Sequence, residues 1–139
     1  MVKTLTGRSI VPGRAVGRVL LSSRPLSLWG GINPVSGRII DRRHDRHGES
    51  VTGRVFAFPG EKGSSTGSAV LLELIRTGQA PCAILTTQLS PILALGAIVA
   101  DELYGRTIPI FQIGEADFGA LCDGQIVQVA EDGSVTLAT

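Results

Sequence analysis

Apolar positions change period near the middle of the chain. In the first half they come in short extended runs. Val16, Val19, Leu20 and Leu21 predict a strand after the turn-forming Val11-Pro12-Gly13, and residues 38–40 predict a second short one. Residues 22–33, with Pro25, Trp29 and Gly30-Gly31, read as loop, and Asn33-Pro34-Val35-Ser36-Gly37 reads as a turn. Residues 41–49 mix both signs of charge and read as a loop or a solvated turn. In the second half, a strand over 54–58 is stopped by Pro59-Gly60. Val70, Leu71, Leu74 and Ile75 then recur at helical spacing, and Gly78 closes that helix as a C′ residue. Residues 82–86 predict a buried strand. Ser90-Pro91 predicts a helix running to about residue 102, with Ser as N-cap and Pro at the first helical position. A strand over 108–113 follows. The tail predicts an antiparallel hairpin: Asp123-Gly124, a strand over 125–130, the turn Glu131-Asp132-Gly133, and a strand over 134–137.

The middle of this order is β-α-β-α-β, which packs as a parallel sheet with right-handed crossovers. The expected class is α/β with flanking antiparallel strands, as a single domain over 1–139. A hydrophobic share of 43% argues against disorder, and a net charge of +1 excludes a strongly electrostatic nucleic-acid binder. The longest apolar run, residues 92–100, is far short of the ~20 residues a membrane span needs. The first residues carry no apolar leader core, so a cytoplasmic protein is expected. Cys82 and Cys122 form no CxxC and have no nearby His, and they are expected to be reduced, buried thiols.

Ligands of open α/β sheets bind at the carboxyl ends of the strands, here residues 59–66, 87–90 and 112–117. The first segment is the most informative. Lys62, Gly63, Ser64, Ser65, Thr66 and Gly67 lie between a strand and a helix and offer small side chains, hydroxyls, one cation and helix N–H groups. Such a turn suits a carboxylate or phosphate; a plain Ser-capped helix is the simpler alternative. It is not a Walker loop. Gly63-Ser64-Ser65-Thr66-Gly67 matches G-x-S-x-G, but His44 and His47 both lie upstream of it, which argues against a Ser hydrolase. A Ser can act as a base when N–H groups and a cation such as Lys62 stabilise its alkoxide. That suits dehydration, where a proton leaves carbon beside a carboxylate and the departing hydroxyl needs a Lewis acid. His44, His47, Asp41 and Asp45 read as a solvated loop rather than a metal site, so the metal is expected on another chain.

Four segments carry a family resemblance: Gly30-Gly31-Ile32-Asn33-Pro34, Gly37-Arg38-Ile39-Ile40-Asp41, Gly53-Arg54-Val55-Phe56-Ala57-Phe58-Pro59 and Lys62-Gly63-Ser64-Ser65-Thr66-Gly67-Ser68. Together, over residues 7–113, they resemble the small subunit of aconitase X. The resemblance implies a swivelling β/β/α domain, the small subunit of a heteromeric hydro-lyase (dehydratase). It implies a large catalytic subunit as partner, carrying an iron or iron–sulfur centre, with no cofactor held by this chain. In aconitases the turn reads Gly-Ser-Ser-Arg and its first Ser is the base, which carries over to Ser64. The Arg that binds a substrate carboxylate falls at Thr66, so citrate is not the expected substrate. Lys62, Gly63, Ser65, Thr66 and Gly67 are the expected substrate-binding residues. Members of the family dehydrate cis-3-hydroxy-L-proline in bacteria and mevalonate 5-phosphate in archaea. The bias to Arg, with Lys3 and Lys62 the only Lys residues, points to a GC-rich bacterial genome and to the hydroxyproline reading. A phosphohistidine carrier would need a His in the turn, which has none. A non-catalytic scaffold subunit is the alternative of another class.

Overall fold

The computed structural model describes residues 2–63 and 65–138. In chain order its elements are β1 (Val2–Thr6), β2 (Arg8–Val11), β3 (Ala15–Leu21), the helical turn α1 (Leu28–Gly31), β4 (Val55–Phe58), α2 (Gly67–Thr77), β5 (Ala83–Thr86), α3 (Pro91–Tyr104), β6 (Ile110–Gln112), α4 (Glu115–Gly119), β7 (Ile126–Val129) and β8 (Ser134–Ala138). β3, β4, β5 and β6 are parallel neighbours, and α2 and α3 make the crossovers between the last three. Every residue of β4 and β5 is buried, as in strands covered on both faces. β3 changes partner along its length. Residues 15–18 pair antiparallel with β7, and residues 19–21 pair parallel with β4.

The full order is β1-β8-β7-β3-β4-β5-β6-β2. Its two end strands, β1 and β2, are joined by Gly7 alone, so the sheet curls back on itself. Gly7 donates its N–H to Gly133 O at 2.8 Å. A side chain there would meet Ile113 at 3.1 Å and the Gln112 and Gly133 carbonyls at 3.2 Å. Alternation along β4 sorts its side chains into two apolar layers. Val55 and Ala57 join Leu5, Val19, Leu85, Phe111, Val127 and Val135, which come from all round the curl. Phe56 and Phe58 stack on each other with ring centroids 4.2 Å apart, and they face Leu71 and Leu74 of α2 and Leu93 and Ala97 of α3. Burying each Phe or Leu side chain of this layer contributes about 1.5–3 kcal/mol. α2 and α3 cross where Gly96 lies against Ser68, and a Cβ on Gly96 would stand 2.6 Å from the Ser68 carbonyl.

Several expectations are corrected. β1 and β2 were not anticipated. Residues 38–40 form no strand; Ile39 bridges Ile32 and Arg38 bridges Ser50, in a crossover that turns at Gly37 and Gly48 with φ of 71° and 89°. The 22–33 loop contains the helical turn α1. Pro91 opens α3 as expected, but Ser90 gives no side-chain cap; its hydroxyl accepts the Glu61 N–H instead. Both thiols are free, yet only Cys82 is even half-buried, and Cys122 is exposed. Residues 41–49 are turns with Arg42, Arg43, Asp45 and His47 exposed, as expected, but His44 is buried within them. No helix among the described residues is long and apolar enough to cross a membrane.

Candidate functional site

The loop after β4 is tied on two sides. The Pro59 carbonyl accepts the Gln88 N–H at 3.1 Å and the Thr87 hydroxyl at 3.4 Å, which joins it to the carboxyl end of β5. Leu26 donates its N–H to Gly60 O at 3.1 Å and accepts the Lys62 N–H at 3.3 Å, which joins the loop to the crossover strap. Beyond Lys62 the chain turns outward. Lys62, Gly63, Ser65 and Thr66 are exposed, and Gly63 has φ 93°. The Ser65 carbonyl accepts the N–H and hydroxyl of Ser68 at 3.3 and 2.9 Å, and Thr66 O accepts the N–H groups of Ala69 and Val70 at 3.0 and 3.3 Å. α2 starts at the buried Gly67. Ser64, the expected base, lies outside the described residues.

Glu61 holds the loop from beneath. One carboxylate oxygen, Oε2, accepts the Leu28 N–H at 3.0 Å; the other, Oε1, is buried with no hydrogen-bond partner among the described residues. The same carboxylate lies against Gly67 at the opening of α2. Burial raises the Glu61 carboxyl to about 7, against the opposing pull of the Leu28 N–H and the Ser27 side chain. Nothing in the local pattern marks this residue beyond its place beside Lys62. Its burial depends on the strap from residues 26–28 closing over it.

Lys62 opens on a cavity of about 280 Å³ that it lines with Arg24, Pro25, Asp41, Arg43 and His44. Beneath the cavity lies a polar knot. The buried Ser22 hydroxyl donates to Asp45 Oδ1 at 2.7 Å, accepts the Arg24 N–H at 3.1 Å, and lies 3.0 Å from His44 Nε2. His44 Nδ1 accepts the Arg46 N–H at 3.1 Å, so the ring proton belongs on Nε2, which faces Ser22 and the Arg24 carbonyl. The Arg43 backbone N–H, bonded at 3.0 Å, and the Arg43 and Lys62 charges hold the Asp41 carboxyl below its usual range. The sequence reading placed Lys62 here but missed Arg24 and Arg43. His44, read as solvated, is instead part of the floor. Among the described residues no three His, Cys, Asp or Glu side chains come together as a metal site.

A family model described as the aconitase X swivel domain matches residues 4–137. A Pseudomonas aeruginosa protein named cis-3-hydroxy-L-proline dehydratase is 53% identical over 108 residues, covering 78% of this chain and 19% of its own. A Hypocrea jecorina protein of the same name is 38% identical over 123 residues, covering 88% and 21%. The chain thus spans about one fifth of the length of these two dehydratases. A Methanosarcina acetivorans protein named phosphomevalonate dehydratase small subunit is 38% identical over 126 residues, covering 90% of this chain and 83% of its own. The crystal structure of Thermococcus kodakaraensis aconitase X in its holo-form superposes with a TM-score of 0.88 at 37% identity, covering 99% of both chains.

Proposed function

The chain belongs to the aconitase X swivel-domain family, and on that premise we propose that it is the small subunit of a two-subunit hydro-lyase that dehydrates cis-3-hydroxy-L-proline in the cytoplasm. The observation that carries the reading is the Lys62–Gly67 loop. It opens α2 at the carboxyl end of a parallel strand, in a chain whose identity to a dehydratase of that name exceeds half. Ser64 is the base in this reading. Its oxygen takes a proton from the carbon beside the substrate carboxylate, the neighbouring carbon–hydroxyl bond breaks, a double bond forms between the two carbons, and the proton and the departing hydroxide leave as one molecule of water. N–H groups at the start of α2 and the Lys62 ammonium favour the alkoxide that accepts the proton. Gly63, Ser65, Thr66 and Gly67 shape the turn around the substrate. The family implies an iron or iron–sulfur centre, but the described residues offer no donor set for one. That centre is assigned to the large subunit.

One observation favours a second substrate. The Methanosarcina acetivorans phosphomevalonate dehydratase small subunit aligns over 83% of its own length, whereas the hydroxyproline dehydratases align over about a fifth of theirs. Co-expression with the large subunit, followed by assay on cis-3-hydroxy-L-proline and on mevalonate 5-phosphate, separates the readings. The expected result is a stable complex that dehydrates only the first, with the chain alone inert. Turnover of mevalonate 5-phosphate alone moves the substrate. Full activity of the large subunit without this chain leaves it a scaffold.

A further inference from the structure

We infer that Arg24, Arg43 and Lys62 form a subsite for one oxyanionic group of the substrate, a carboxylate or a phosphate. The inference rests on the dehydratase reading of the neighbouring Ser64 turn. Three cationic side chains line the cavity against a single carboxylate, Asp41. That carboxylate is engaged by Arg43, through a 3.0 Å bond from its N–H and a 3.9 Å approach of its guanidinium. Arg24 and Lys62 make no ion pair within 4.0 Å among the described residues. An incoming anion therefore meets positive charge that Asp41 does not neutralise. Arg24 supplies a planar fork of donors, of which one, Nη1, is spent on the Arg43 carbonyl at 2.9 Å. That bond clips the two arginine-bearing segments together.

The cavity is built rather than accidental. Its arginines come from two stretches of the β3–β4 crossover, and the Ser22–His44–Asp45 knot joins those stretches directly below them. Ser22 is fully buried and the His44 side chain is 1% exposed, so the floor under Arg24 is fixed before any ligand arrives. A volume of about 280 Å³ suits a small hydroxy acid or a phosphate group better than a nucleotide. Lys62 precedes Ser64 by two residues, so an anion held here is tethered beside the turn that carries the base.

The test is a backbone NMR titration of the full chain with inorganic phosphate and, separately, with L-proline. Saturable shifts at Arg24, Arg43 and Lys62 are expected, with affinity weakened about tenfold in each of Arg24→Gln and Lys62→Gln. Tighter binding of phosphate assigns the subsite to a phosphate group; tighter binding of L-proline assigns it to a carboxylate. Shifts confined to other residues, or an affinity unchanged in both variants, overturn the subsite. The titration needs neither turnover nor the large subunit. A chain that binds these anions within a complex that dehydrates neither substrate would retain the subsite and lose the proposed reaction. An active complex whose KM is unmoved by Arg24→Gln would do the reverse.

Discussion

The carboxylate of Glu61 occupies the space that a side chain at Gly67 would need: a Cβ there would stand 2.8 Å from Oε2. Gly67 is the first residue of α2, where Ala is ordinarily the better helix former by up to about 1 kcal/mol. The contact reverses that preference. Gly67→Ala is expected to lower the melting temperature in the wild-type background and to be neutral or stabilising in Glu61→Ala. A double-mutant cycle read by thermal unfolding checks this, with a coupling of about 0.5–3 kcal/mol expected. Additive effects would mean that the carboxylate moves aside freely.

The same carboxylate makes stability depend on pH. Burial raises its folded value to about 7, from an ordinary value of 4.5. A raised carboxyl binds its proton more tightly folded than unfolded, so its contribution is fully present below pH 4.5 and is lost as pH rises through 7. Glu61→Gln is expected to flatten the fall in melting temperature across that window and to be the more stable protein at pH 8. Parallel melting curves of the two proteins between pH 5 and 8 decide it.

The β4-α2-β5-α3-β6 core was legible because its signals are local. Val70, Leu71, Leu74 and Ile75 are all buried on one face of α2, and Gly78 ends it with φ 77°. β1 and β2 were not legible because their pairing is remote. β1 pairs with β8 at the other end of the chain, and among its residues with described side chains only Leu5 is buried. Within the charged 41–49 segment, His44 misled for a related reason. Nothing within it marks His44 as buried, since its partner Ser22 lies twenty-two residues earlier. The site divides in the same way. Lys62 to Gly67 announce themselves as one run, whereas Arg24, Arg43 and Glu61 join them only once the crossover strap folds over the loop.

That strap depends on one hydroxyl. Ser22→Ala removes the donor to Asp45 Oδ1 and the acceptor of the Arg24 N–H, and leaves His44 Nε2 with the Arg24 carbonyl and Asp45. Buried groups left short of partners cost about 1–3 kcal/mol. Urea unfolding is expected to show a loss of that size with an unchanged m-value. Phosphate binding at Arg24 should weaken in step, because the floor that orients it is loosened. A loss of stability with intact binding would separate the knot from the subsite.

Ser64 and Ser65 are adjacent hydroxyls in the turn, and the dehydratase reading gives them different work. As the base, Ser64 should be needed for the proton transfer itself. Ser64→Ala is then expected to lower kcat of the assembled complex by about 10²–10⁴-fold without changing assembly on size-exclusion chromatography. If Ser64 only capped α2, its loss would cost about 1 kcal/mol of stability and leave kcat nearly intact. Ser65 fastens the turn through its backbone, whose carbonyl accepts both donors of Ser68. Its side chain is not part of that fastening, so Ser65→Ala should keep kcat within a few-fold of wild type. Steady-state kinetics of the two variants, with thermal melts alongside, discriminate between base and cap. A Ser65→Ala complex as inactive as Ser64→Ala, or a Ser64→Ala complex with near-normal kcat, would remove the base from Ser64.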